Sequence, residues 1–406
     1  GTTGHPKGIA YSHAQLCLAI EAIADAFPFV GPGSHLLCWL PLSNLFQRVV
    51  NLAGMRRGAL SHLLADPRRV MDVVGGVAPD VFVGVPRFYE KLYQGLLQRI
   101  GDMPPLQRRA LAWAWDVGRA TSRGRQPGGR LSAWARGQWW LADRLVLRRV
   151  RAIAGPRLRC FVSGSAPAPR RLLEEMHGLG WTVLEAYGLS ENVMPMAMNR
   201  LDDYRFGSVG RPLPGQRVRC AEDGTLSVEG PGVFTGYLGH APRPDGPYRT
   251  GDEGRFDDDG FLFLTGRSGD LFKTSTGRRV APAGIEAALA TCPGVDQVIV
   301  VGAGRPYLAA LCVLLPGWWP DRRDELAREL AQCLAPLNAH DRPAVVGILR
   351  QPFEIVTGEL TPNLKLRRRA IEARRAAEID ALYGPARDAA MGANDMPDAP
   401  RLVPLN

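Results

Sequence analysis

The chain has 406 residues, 46% hydrophobic and 22% charged, with a mean hydropathy of −0.11. That composition excludes a disordered or fibrous protein and leaves room for about two to four domains. Seven scattered cysteines without a Cys-x-x-Cys pair offer no chelating or dithiol motif and suit a reducing cytoplasm. No apolar run approaches the ~18–20 residues of a spanning helix.

From Gly1 to about Gly266, short apolar runs alternate with helical patterns. Strands are expected at Val81–Val85, Leu158–Gly164 and Thr182–Gly188, with helices after the first two. Buried strands alternating with helices predict an α/β architecture with a largely parallel sheet. After Gly207 the texture changes to Gly/Pro-punctuated strands (QRVRC, GTLSVEG, GFLFLTG), as in a small antiparallel or barrel-like subdomain. A second compact α/β unit begins near Asp270. It contains strands in VDQVIVVG and YLAALCVLL, a helix in RDELARELAQCLA and a basic helix over 364–384. The segment from Pro385 onward is rich in Pro, Gly, Ala and Asp and is expected to be a disordered tail. The start at Gly1-Thr2-Thr3-Gly4 reads as a cut inside a motif, so a longer parent chain is expected.

The net charge of +10 is concentrated in one place. Residues 99–159 hold fourteen Arg and three Asp, with no Lys or Glu, together with Trp113, Trp115, Trp134, Trp139 and Trp140. The spacing predicts two helices joined by a Gly/Pro/Arg-rich loop around 124–129. The plainer reading is a helical hairpin packed on its own domain with a solvated basic face. The other is peripheral contact with an anionic membrane, where indole and guanidinium suit the headgroup layer. No zinc-finger, basic-zipper or RNA-binding signature points to nucleic acid.

Gly1-Thr2-Thr3-Gly4-His5-Pro6-Lys7-Gly8 is chemically suited to a polyphosphate: glycines admit the oxygens to backbone N–H groups, hydroxyls donate, and the ammonium offsets charge. It is not the Walker pattern, since Pro6 and Gly8 stand where that pattern needs Gly and Ser/Thr. Four further blocks follow in order: YGLSE (187–191), YRTGD (248–252), GRSGDLFK (266–273) and GELTPNLK (358–365). In this order they resemble the adenylate-forming superfamily, and within it the long-chain fatty acyl-CoA synthetases. WLPLSN (39–44), CFVSGSAP and the basic Trp-bearing insertion carry the narrower resemblance.

The resemblance implies an incomplete AMP-binding domain over 1–268, a small domain over 269–384 and a tail over 385–406. It implies ATP, Mg2+ and coenzyme A as cofactors and co-substrate. Thr2, Thr3, Gly4 and Lys7 match the loop that grips the β- and γ-phosphates. Ser165, Ala166, Tyr187 and Gly188 match the adenine slot, Ser190 the hydroxyl at the α-phosphate, and Glu191 the magnesium ligand. Asp252 and Arg267 match the ribose contacts, Lys273 an α-phosphate contact, and Gly277 the glycine of the pantetheine tunnel. Lys365 matches the catalytic lysine, a cation between the fatty carboxylate and the α-phosphate; in the family it acts when the small domain is docked, and rotation about the junction then admits CoA. The implied reaction forms acyl-AMP and then acyl-CoA. The alternatives are an acyl-AMP ligase serving a carrier-protein thiol, or a weakened nucleotide- or lipid-binding homologue. Departures from the family pattern are Asn44 for the usual His, Gly269 at the hinge and Thr276 for a first Gly.

Overall fold

The computed structural model describes residues 7–267, 269, 271–361, 366–384 and 400–405. The chain divides into two compact units between Leu264 and Thr265.

The first unit is built on a seven-stranded sheet of order β2-β1-β3-β4-β5-β6-β7. Its strands are β1 (His35–Cys38), β2 (Leu60–Leu63), β3 (Val81–Gly84), β4 (Cys160–Ser163), β5 (Val183–Tyr187), β6 (Ala197–Met198) and β7 (Arg211–Pro212). The first five pair in parallel and the last two antiparallel. Every residue of β3 and β4 is buried, as a parallel strand covered on both faces requires. Helices α1 (His13–Ala26), α2 (Leu45–Arg56), α3 (Val70–Val77) and α4 (Pro86–Gly101) contribute to that core. Asn44, the residue departing from the usual His, is the N-cap of α2 and accepts from the Gln47 N–H at 3.1 Å.

The basic insertion is a helical hairpin. Helix α5 (Pro105–Arg125) runs two residues into the expected loop, and α6 (Ala133–Ala142) continues through a π-helical segment, Asp143–Leu147, into α7 (Arg148–Arg151). The hairpin packs through α5 on α8 (Arg170–Gly178). There Gly118 lies so close to Gly178 that a Cβ at 118 would stand 1.8 Å from the Gly178 carbonyl oxygen.

The expected antiparallel subdomain is a four-stranded sheet of β8 (Arg217–Cys220), β9 (Thr225–Glu229), β10 (Tyr248–Phe256) and β11 (Leu262–Arg267), in the order β11-β10-β9-β8. The YRTGD block lies inside β10, ahead of the turn that leads to β11. The β10–β9 register shifts between Arg249 and Glu253, forming a bulge at Gly251, whose φ of +75° suits glycine.

The second unit contains the ribbon of β12 (Phe272–Lys273) and β13 (Arg279–Val280), helix α9 (Pro282–Leu289), and a sheet of order β14-β15-β16-β17. The strands of this sheet are β14 (Val295–Val301), β15 (Ala309–Leu314), β16 (Val345–Leu349) and β17 (Arg401–Pro404), and helix α10 (Arg323–Leu334) precedes β16. Alternate strand residues feed two cores, one with Val298, Val300 and Cys312, the other with Ile299, Val301 and Leu311.

Two expectations are corrected here. Within the described residues 366–384, the basic helix expected over 364–384 is two short helices, α11 (Arg368–Arg374) and α12 (Ala376–Asp380), broken at Arg375. That side chain is buried against Glu359 at 2.8 Å and Glu378 at 3.3 Å, so it cannot sit on a solvated helical face. The segment expected as a disordered tail ends in β17, which pairs in parallel with β16 and buries Leu402, Val403 and Leu405. An apolar RLVPL run adding to a sheet edge overrides the polar average of the 22 residues around it.

Candidate functional site

Ser165 and Ala166 follow the C-terminal end of β4, and Gly188, Ser190 and Glu191 that of β5, the usual location of a ligand crevice in a parallel sheet. After β4 the chain turns through Ser165, a non-glycine residue at φ +74°, which exposes Ser165 and Ala166. After β5, Gly188 and Ser190 are exposed and Tyr187 is buried.

Two phenol–carboxylate pairs organise this end. The Tyr187 hydroxyl donates to Asp252 Oδ2 at 2.7 Å, joining β5 to the bulge of β10. The bulge aims Asp252, whose N–H donates to Thr250 Oγ1 at 3.1 Å, while the buried Thr250 hydroxyl donates to the Leu226 carbonyl. In the second pair the Tyr237 hydroxyl donates to Glu191 Oε1 at 2.7 Å. The Lys7 ammonium lies over the Tyr237 ring, 4.7 Å from its centroid. An antiparallel bridge of Ile9 with Tyr237 and a Leu238 N–H to Gly8 carbonyl bond of 2.8 Å hold the Lys7 segment there. Tyr11 donates to the Ser190 carbonyl oxygen. Burial, then Glu191 and Tyr248, pushes the Tyr11 phenol upward; burial and the bond to Glu191 do the same at Tyr237. Both phenols therefore stay protonated as donors.

The structure thus brings Tyr187 together with Asp252, and Lys7 with Glu191 through Tyr237. Tyr11 and Tyr237 escaped the sequence reading because neither lies in one of the five blocks. A third residue it missed is Glu185, buried on β5 as the register partner of Ser163. Its Oε1 accepts from the Ala168 N–H at 3.0 Å, while Ser163 Oγ has no hydrogen-bond partner among the described residues. Burial pushes this carboxyl up to about 7, against the lowering pull of the Ala168 and Gly207 amides.

In the second unit Arg267 ends β11 and Lys273 lies on β12, both exposed. Gly277 has φ +81° in a turn closed by its own N–H to the Thr274 carbonyl at 2.9 Å, so the turn itself calls for glycine. A Cβ at Gly269 would meet nothing within 4 Å. Thr2, Thr3, Gly4 and Lys365 lie outside the described residues.

The donor set fits the implied groups. A magnesium ion carried on a triphosphate takes most ligands from phosphate and water and needs about one or two protein carboxylates, of which Glu191 is the candidate. An aromatic ring beside exposed backbone and an oriented carboxylate fits a purine nucleoside.

Comparison with known proteins identifies the family. Residues 1–238 match the AMP-binding enzyme family and 269–387 the AMP-binding enzyme C-terminal domain. The chain is 33% identical over 412 residues to the long-chain-fatty-acid–CoA ligase FadD15 of Mycobacterium tuberculosis, spanning 94% of this chain and 68% of that ligase. It is 28% identical over 441 residues to the human long-chain-fatty-acid–CoA ligase ACSBG1, spanning 94% of this chain and 60% of that ligase. Its fold matches the A domain of the carboxylic acid reductase from Segniliparus rugosus, solved with AMP and a co-purified carboxylic acid. The TM-score there is 0.70 at 21% identity, over 94% of this chain and 60% of that one. The chain belongs to the AMP-binding enzyme family.

Proposed function

We propose that the protein is an AMP-forming ligase that joins a long-chain fatty acid to ATP as acyl-AMP, releasing pyrophosphate, and then forms acyl-CoA, releasing AMP. The observation that carries this reading is the pair of phenol-held carboxylates, Asp252 on Tyr187 and Glu191 on Tyr237, at the end of a parallel sheet. The fatty acid class rests on the likeness to the two ligases above.

In this reading Tyr187, Gly188, Ser165 and Ala166 bound the adenine, and Asp252 accepts the ribose hydroxyls in an orientation Tyr187 has already fixed. Arg267 assists at the ribose. Lys7, with Thr2, Thr3 and Gly4, holds the outer phosphates, while Ser190 and Lys273 address the α-phosphate. Glu191 would hold Mg2+, which offsets phosphate charge when bound. Lys365 supplies positive charge between two reacting anions, the carboxylate and the α-phosphate, which otherwise repel. Gly277 is assigned to the passage of CoA. The setting is cytoplasmic, with acid drawn from an adjacent bilayer that residues 99–159 touch.

Hydroxylamine trapping of acyl-AMP, followed by CoA-dependent AMP release, tests the sequence of steps. Trapped adenylate with no CoA product would move the assignment to a carrier-protein thiol. In Lys365→Ala, acid-dependent pyrophosphate exchange should fall by about two to three orders of magnitude with ATP binding retained. Near-normal exchange would remove the role given to Lys365.

A further inference from the structure

The inward and outward faces of α6 differ in kind. Inward, Ala142 and Leu147 are fully buried, and Trp139 lies under the Arg125 guanidinium at 3.6 Å. Arg125 in turn donates to the carbonyls of Gly118 and His177, fastening the hairpin to α8. Outward, Trp134 is 75% exposed, Trp140 61%, Leu141 42% and Leu145 53%. Trp134 and Leu141 are seven residues apart and Leu145 four further on, so they form one stripe along the helix. Trp140 flanks it, with the Arg144 guanidinium 5.8 Å from its ring. Arg136, Arg148 and Arg149 are exposed along the same run. Asp143, the one acid between Arg130 and Arg151, is held by Arg151 at 2.5 Å.

We infer that this stripe of α6 is a docking surface for an anionic lipid bilayer. Charge complementarity selects the occupant. Exposed indoles with leucines beside them enter the headgroup–acyl boundary, and guanidiniums without competing carboxylates pair with lipid phosphates. No helix among the described residues is long and apolar enough to cross a membrane, so the contact lies in the interface plane. The inference deepens the proposed membrane contact but stands on this surface, independent of the adenylation reading. Vesicle binding without ATP or acid and pyrophosphate exchange without vesicles therefore fail separately.

The test is cosedimentation of the full chain with vesicles of phosphatidylcholine containing about 30% phosphatidylglycerol, at low and high salt. Partitioning should be at least about tenfold stronger than onto phosphatidylcholine alone and should weaken as salt rises. Trp134→Ser with Trp140→Ser should lower it about tenfold or more, and Arg144→Gln with Arg148→Gln should lower it and flatten the salt dependence. Unchanged circular dichroism and exchange activity would confirm that these variants fold. Absent partitioning, equal partitioning onto neutral vesicles, or partitioning unmoved by either double variant overturns the proposal. So does a self-associated species in sedimentation velocity that the Trp variants dissociate, since a second copy would then be the occupant.

Discussion

The nucleotide end of the first unit and its helical hairpin carry charge in opposite ways. At the nucleotide end, Asp252 and Glu191 are each gripped by a phenol distant in sequence, 65 and 46 residues away. On the hairpin, cations outnumber acids and stack on neighbouring rings, as Arg125 does on Trp139 and Arg144 on Trp140. Fixed long-range pairs pre-set geometry for a reaction, whereas surplus like charge on a locally folded element marks a surface awaiting a counter-charge.

The largest effect is expected at Asp252. Asp252→Ala should lower kcat/KM for ATP by about two to three orders of magnitude, because the lost carboxylate leaves the ribose hydroxyls unpaired. Steady-state kinetics with varied ATP check this. A change under about threefold would make the Tyr187–Asp252 pair a scaffold and dissolve the contrast with the hairpin.

Glu185 sharpens the contrast, since it is a carboxyl at the nucleotide end without a phenol. Its ordinary value is 4.5 and its folded value about 7. Between these the folded protein keeps a proton that the unfolded chain has lost. Stability is therefore fully present below pH 4.5 and declines as pH rises through 7, by about 3 kcal/mol. Glu185→Gln keeps an acceptor for the Ala168 N–H and removes the ionisation. Its denaturant midpoint should exceed the parent's at pH 8 and lose that advantage near pH 4.5; a parallel pair of pH profiles would sink the account.

The same residues show what the sequence could reveal. Parallel strands such as β3 and β4 were legible because four consecutive apolar or small residues, bounded by Gly and Pro, have few other folds available. The five blocks marked Lys7, Glu191 and Asp252 as candidates. The supports were not legible. Tyr237 pairs with Glu191 through a contact that no local pattern encodes, and Glu185 reads as an ordinary strand glutamate until its register partner Ser163 and its burial are known. The same limit hid β17: RLVPL gives no sign of its partner, since it pairs with β16 in a register 56 residues apart, Val345 with Arg401.

On the hairpin side, Gly118 is where packing should fail. An alanine methyl there meets the Gly178 carbonyl, so α5 must shift off α8 at a cost of about 1–3 kcal/mol. Thermal melts of Gly118→Ala should show this while KM for ATP stays near normal. Loss of ATP binding in that variant would mean that the two regions are coupled.

The smallest effect separates ring from hydroxyl at Tyr237. Tyr237→Phe keeps the aromatic face under Lys7 but deletes the donor to Glu191 Oε1, leaving the carboxylate with one hydrogen bond fewer. One hydrogen bond to a charged group is worth about 1.5–3 kcal/mol, and water can replace much of it at a half-buried site. The requirement for Mg2+ should therefore rise by about three- to tenfold at unchanged maximal exchange. Tyr237→Leu removes the ring as well and should add a rise in KM for ATP that Tyr237→Phe lacks. If the two variants match, the Lys7 contact contributes nothing and the phenol acts on Glu191 alone; if both match the parent, the second phenol–carboxylate pair does not set geometry and only the Asp252 pair does.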